Sequence, residues 1–188
     1  SFEYTKPETN NLNFPIKSKI FASIGIGKRK TNTLSESSEN KQFLVNIQAT
    51  HTVYLNKKNS INLNNQNYYL QSNHYIINEL YRFGGTNSIR GFTENSLQAY
   101  FVTSILTEYR YILSPNLYLH SILDYSVFKN KSEIGKADIT KNLIGTGVGM
   151  GLQTKNGLLK LAIANGHAKK QQFEIYNTII HISYNVKF

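Results

Sequence analysis

The sequence predicts an all-β, antiparallel chain, and three observations carry that expectation. Apolar residues recur at period two rather than 3.6, in runs bounded by clusters of Asn, Gly, Lys or Pro that favour turns. The chain holds 13 Tyr and 10 Phe but no Trp, an aromatic load ordinary for β proteins and for the belts at membrane interfaces, where the ring is buried and the hydroxyl stays wet. No run of about 18 apolar residues occurs, which excludes a transmembrane helix on length but leaves strand-built spans open. At 188 residues the chain is one domain or a piece of one.

Taken in order, the alternation places a partial strand at 1–5 and full strands at 16–28, 42–56, 59–71, 97–113, 117–129, 143–154, 157–166 and 174–188. KKNS and SPN are short enough for hairpin turns. TNTLSESSENKQ, KNKSEIGKADITKN and HAKKQQ are polar and Lys-rich, as solvated loops are. The opening SFEYTKPETN lacks a basic segment followed by an apolar core, so no signal peptide is expected there.

The faces are legible within these strands. In the closing segment EIYNTIIHISYNVKF, Tyr176, Ile180, Ile182, Tyr184, Val186 and Phe188 share one face, and Asn177, His181, Ser183, Asn185 and Lys187 share the other. Leu117, Leu119, Leu123, Tyr125 and Val127 likewise oppose Tyr118, His120, Asp124 and Ser126, and Phe101, Ile105, Tyr109 and Tyr111 oppose Ser104, Glu108 and Arg110. In GTGVGMGL, Gly145, Gly147, Gly149 and Gly151 make one face bare backbone, which implies something bulky close against it. Alternation alone fits either a membrane barrel, apolar face outward, or a soluble sandwich or lipocalin-like barrel, apolar face inward. The charged inventory of the polar face and the aromatic ends of the apolar rows favour the barrel in a membrane.

Composition narrows the chemistry. The formal net charge of +10 suits nucleic acid, anionic lipid or an acidic partner. The lysines, however, fall mostly in loops between strands rather than along an aromatic platform, so lipid or lipopolysaccharide headgroups are expected and nucleic acid is not. There is no cysteine. His51, His74, His120, His167 and His181 lack the spacing of metal ligands, and no nucleophile-elbow, Walker or dinucleotide pattern occurs, so neither enzyme activity nor a metal or other cofactor is expected.

One stretch, RFGGTNSIRGF at 82–92, reads as neither helix nor strand and mixes Arg82 and Arg90 with three glycines and two phenylalanines. It resembles the signature loop of the BamA-like superfamily of outer-membrane insertases and translocators, the bacterial surface antigen barrel. That loop carries Val/Ile-Arg-Gly-Phe/Tyr after a Gly-Gly pair, matched here by Gly84, Gly85, Ile89, Arg90, Gly91 and Phe92. SILTEYRYIL, LHSILDYSVF and GTGVGMGLQTKNGLLKLAIA resemble the family's following strands, in the family's order. The closing strand with Tyr184, Val186 and Phe188 resembles its C-terminal signal. Upstream, NLNFPIKSKIFASIGIG is similar to the family's hairpin with Pro-x-Lys/Arg-Gly, with Ser18 in place of the glycine. Asp124 is also followed two positions on by Ser126, where the family commonly has glycine.

The resemblance implies a transmembrane β-barrel in the bacterial outer membrane, with the loop folded into the lumen and Arg90 meeting Asp124 and Glu108. The face count independently puts both carboxylates on the inward side. Gly84, Gly85 and Gly91 would let the loop approach the wall, and Phe92 would pack on the glycine row. An arginine between Asp124 and Glu108 would hold both ionised, the wrong state for a general acid. The family's barrel has about 16 strands, so this chain is expected to be one C-terminal part of a larger barrel, without the family's periplasmic modules. The implied function is insertion of outer-membrane proteins or translocation of polypeptides without a cofactor. Implied partners are unfolded client chains, lipid, periplasmic modules and accessory lipoproteins. Anchoring barrels of patatin-like phospholipases, two-partner secretion transporters and a passive structural barrel are the alternatives.

Overall fold

The computed structural model describes residues 2–8, 16–32, 37–131, 138–168 and 174–186. Eleven strands follow one another: β1 (Phe2–Glu8), β2 (Ile16–Asn32), β3 (Ser37–Tyr54), β4 (Asn59–Ser72), β5 (Tyr81–Phe83), β6 (Leu97–Ala99), β7 (Phe101–Ser114), β8 (Leu117–Lys131), β9 (Asp138–Thr154), β10 (Gly157–Ala168) and β11 (Thr178–Val186). Single 3-10 turns occupy Ile77–Glu79 and Ile175–Asn177. Nine strands form one antiparallel sheet in the order β1-β2-β3-β4-β7-β8-β9-β10-β11, and β5 and β6 pair separately. The sheet is open: among the described residues β1 and β11 each have one neighbour.

The predicted strand at 97–113 is two strands in different sheets. Tyr100 is the branch point. Its N–H donates to the Lys129 carbonyl (3.1 Å) and its carbonyl accepts from Leu70 N–H (2.7 Å), so it still bridges β8 and β4. Leu97–Ala99 instead turn away to pair with Tyr81–Phe83, including Arg82 and Phe83 of the stretch read as irregular. The run Ala99-Tyr100-Phe101-Val102 carries no Gly or Pro to mark a break, so the sequence does not reveal which sheet each half joins.

Several strands also outrun their predicted ends. β2 and β3 pair as far as Asn32 and Ser37, and β8 and β9 as far as Lys131 and Asp138, through segments expected to be loops. Past the apolar rows nothing demands alternation, yet the backbone ladder continues, so polar sequence hides strand there. At the other extreme the last strand begins at Thr178 rather than 174, with Tyr176 and Asn177 in the 3-10 turn.

The large apolar rows point outward and remain uncovered. Leu123 is 61% exposed and Ile182 66%, and Ile105, Tyr109, Leu119, Val148, Met150, Leu161, Tyr184 and Val186 share that condition. The buried hydrophobics lie on the opposite face: Tyr68, Leu70, Val102, Leu106, Phe128 and Leu143 from the sheet meet Phe83, Ile89 and Ala99 from the 73–100 segment. The larger core cluster is therefore made by the 73–100 segment lying against one face of the sheet. A soluble sandwich would turn its apolar rows into that core, and this chain does the reverse.

The connections at 33–36, 73–100, 132–137 and 169–173 leave from one end of the sheet, with 73–100 far the longest, whereas those at 9–15, 55–58, 115–116 and 155–156 turn back at the other. On β8 the outward apolar residues run from Leu117 to Val127 before Lys129 and Lys131 begin. That is about the 9–11 residues a tilted strand needs to cross a hydrocarbon layer.

Candidate functional site

The site is the contact between the 82–92 loop and the inner faces of β7–β10. β7 and β8 pair so that Leu106 lies opposite Asp124 and Glu108 opposite Ile122, bringing the two acids to the same wall by strand parity. Between them sits Arg90, 4% exposed, beside an Asp124 that is fully buried. Its Nε and Nη2 donate to Asp124 Oδ2 and Oδ1 at 2.8 and 2.6 Å, a two-pronged pair, and Nη1 donates to Glu108 Oε1 at 2.6 Å. Nη2 also reaches the Thr107 carbonyl (3.3 Å), and the Arg90 backbone N–H donates to Asp124 Oδ2 (3.1 Å). Every guanidinium nitrogen therefore has an acceptor, which a charge removed from water requires.

Glu108 serves three cations. Arg110 donates from Nε to Glu108 Oε2 (2.8 Å), and Lys160 Nζ lies 3.5 Å from Oε1. Arg110 in turn lies over the Tyr118 ring, 5.0 Å from its centre. Three cations thus meet two carboxylates. Lys160, on β10, was not anticipated; its place on the inward face of a strand otherwise read for its apolar alternation was the available signal.

The loop reaches this socket because its backbone can. Gly84, Gly85 and Gly91 all have positive φ, at 105°, 102° and 86°. Gly91 has a second requirement, since a Cβ there would strike the backbone of Asn165 and Gly166 on β10. Its N–H donates to His181 Nε2 at 3.0 Å, tying the loop to β11. The sequence places His181 on the polar face of its strand without indicating this contact. Ile89, fully buried, and Ser88, whose Oγ accepts from Gly84 N–H at 2.6 Å, complete the turn.

The glycine row is crowded, though not by the residue expected. A Cβ on Gly145 would strike the Arg90 carbonyl, and one on Gly149 or Gly151 would meet the rings of His120 and Tyr118. Gly147 faces the backbone of β10 instead. The Phe92 ring lies against Gly166, the β10 partner of Gly145, rather than on the row itself. The reach of Gly91 toward β10 carries its neighbour one strand further than the sequence suggested. Tyr184 and Val186 face outward on β11, and Phe188 lies outside the described residues.

A second anchor holds the same loop at β2 and β3. Arg29 of β2 pairs through Nη1 with Glu79 Oε2, and its Nη2 donates to the His74 carbonyl (3.1 Å). Gln42 Nε2 donates to Glu79 Oε2 at 2.8 Å, and Asn40 Nδ2 reaches Ser72 Oγ and the His74 carbonyl at 2.7 and 2.9 Å. Burial by itself would raise the Glu79 pKa, but the hydrogen bonds from Arg29 and Gln42 outweigh it and hold the carboxyl below its ordinary range. Nothing in the spacing of Arg29 and Glu79 announces this contact.

No curated protein matches the chain. The family model for the Omp85 superfamily domain matches residues 1–184. With the outward apolar rows, the antiparallel sheet and the inward-folded loop, that match shows that the chain belongs to the Omp85 superfamily.

Proposed function

We propose that this chain forms part of an outer-membrane barrel wall that assists insertion of outer-membrane proteins or translocation of polypeptides. The carrying observation is the Arg90 guanidinium, held between Asp124 and Glu108 on a loop packed against the inner face of the sheet. Three glycines at positive φ bring that charge to the wall. Such a charge costs several kcal/mol when its partners are withdrawn, so it gives the loop one strongly preferred seat. The uncovered outward rows support a position in the lipid of the bacterial outer membrane. On this reading the short-turn end faces the periplasm and the long-connection end the exterior.

The reading names unfolded client chains as the partners, with lipid around the wall and periplasmic modules and accessory lipoproteins beside it. An unpaired strand edge, as at β11, is a template for an incoming strand through main-chain hydrogen bonds. On the same reading the nine strands are one portion of a larger barrel. The test is reconstitution of the protein in liposomes with an unfolded, heat-modifiable barrel client. Acceleration of client assembly by the wild type, and its loss in Arg90→Ala with the barrel still folded, is expected. Ion conductance with no effect on client assembly would instead mark a passive barrel.

A further inference from the structure

The outward face of β4–β7 carries polar residues within an otherwise apolar surface. Asn67 lies directly opposite Thr103, and Asn65 opposite Ile105. Thr103 Oγ1 donates to Asn67 Oδ1 at 2.7 Å, Asn67 Nδ2 donates to Asn65 Oδ1, and Asn65 Nδ2 donates to the Ser104 carbonyl at 3.2 Å. Toward the short-turn end come Leu63 on β4 and Ile105 and Tyr109 on β7, all exposed. Toward the long-connection end come Tyr69 and Phe101, opposite one another with rings 6.4 Å apart. Phe101 lies opposite Lys129, whose Nζ stands 5.9 Å from the ring centre. Amides facing hydrocarbon are costly unless something hydrogen-bonds them, and these bonds use one of the two N–H groups on each Asn, leaving the second to donate elsewhere.

These layers match the layers of one kind of molecule. An ammonium suits a phosphate, two aromatic rings suit the interface, amide and hydroxyl groups suit acyl-linkage carbonyls, and apolar rows suit the chains. Lys129 and Thr103 are separated by two positions of strand register, roughly 7 Å. We infer that the outward face of β4–β7–β8 binds a phosphorylated glycolipid of the outer leaflet, of the lipid A class, with its phosphate at Lys129 and its acyl-linkage carbonyls at Asn67, Asn65 and Thr103. The inference rests on the proposed outer-membrane placement, with the long connections outside.

The experiment places the full chain in nanodiscs containing bis-phosphorylated lipid A, dephosphorylated lipid A or phosphatidylglycerol, and counts lipid retained on the protein by native mass spectrometry. Wild-type protein should retain bis-phosphorylated lipid A in preference to the other two. Asn67→Leu with Thr103→Val should lower that retention by about tenfold, the size of one net hydrogen-bond loss. Lys129→Gln should abolish the preference for the phosphorylated form. The double variant makes this face more apolar, so insertion should persist, and a heat-modifiable, protease-protected band checks it. Equal retention by the variants, or equal retention of phosphatidylglycerol by the wild type, overturns the site. Failure of the wild type itself to insert overturns the membrane reading beneath it.

Discussion

The loop is fastened at two places whose polarity is reversed. At the inner seat the loop supplies the cation, Arg90, and the wall supplies the acids, Asp124 and Glu108. At the rim the loop supplies the acid, Glu79, and the wall supplies the cation, Arg29. The inner pair is sealed, with side-chain exposures of 5% for Arg90 and 0% for Asp124, whereas Arg29 and Glu79 keep 20% and 26%. Burial, more than the number of contacts, should therefore decide what each anchor contributes. Water competes for the rim pair and screens it, while a sealed charge has only the partners that the fold provides.

The largest effect is expected at the sealed end. Asp124→Ala should destabilise the folded barrel by about 3–5 kcal/mol, because Arg90 then remains buried with half its acceptors removed. Urea unfolding followed by heat-modifiable gel shift measures this, and a loss comparable to that of an exposed ion pair would refute the ranking. Next comes Gly145→Val, whose side chain would strike the Arg90 carbonyl and lift the loop from its seat. A cost of about 1–3 kcal/mol is expected, together with faster proteolysis within 82–92.

His181→Leu removes the acceptor of the Gly91 N–H while keeping bulk, and should cost about 1–3 kcal/mol for a buried donor left unpaired. His181→Gln, which restores an acceptor, should recover part of that loss in the same unfolding assay.

The smallest effect belongs to the rim. Glu79→Gln should cost about 0.2–1 kcal/mol, and less in high salt. Because the folded state lowers the Glu79 pKa, the wild-type advantage is complete above the ordinary value of 4.5 and disappears as pH falls through the folded value. Unfolding midpoints of wild type and Glu79→Gln should accordingly differ at pH 7 and converge in acid. An unchanged gap at low pH would show that Glu79 acts through shape rather than charge.

Much of the fold was readable because each strand repeats one decision. Leu119, Leu123 and Tyr125 against His120, Asp124 and Ser126 state the two sides of β8 in six residues, and β11 does so with Ile180, Ile182 and Tyr184 against His181 and Ser183. Where the decision was not repeated, reading failed. Tyr100 divides two sheets with no Gly or Pro to mark the break, and the polar ends of β8 and β9 continue the ladder with no apolar row to mark them. Within the site, the glycines and Arg90 were visible through the loop motif. Lys160, His181 and the Arg29–Glu79 anchor were not, since each meets the loop through a register summed over several strands.

Sequence by itself determined which residues share a side, where most turns fall and which segment could bend tightly enough to leave the wall. Local sterics and the two-residue period of the pleat suffice for those. Only the tertiary structure decided which face of the sheet the loop lies against and how Arg90 reaches its partners; Glu108 and Asp124, 18 and 34 residues away along the chain, were expected from the loop's resemblance and from no local preference. The reason is that alternation distinguishes two faces without saying which is inside, and ion pairs depend on distances that no local preference encodes.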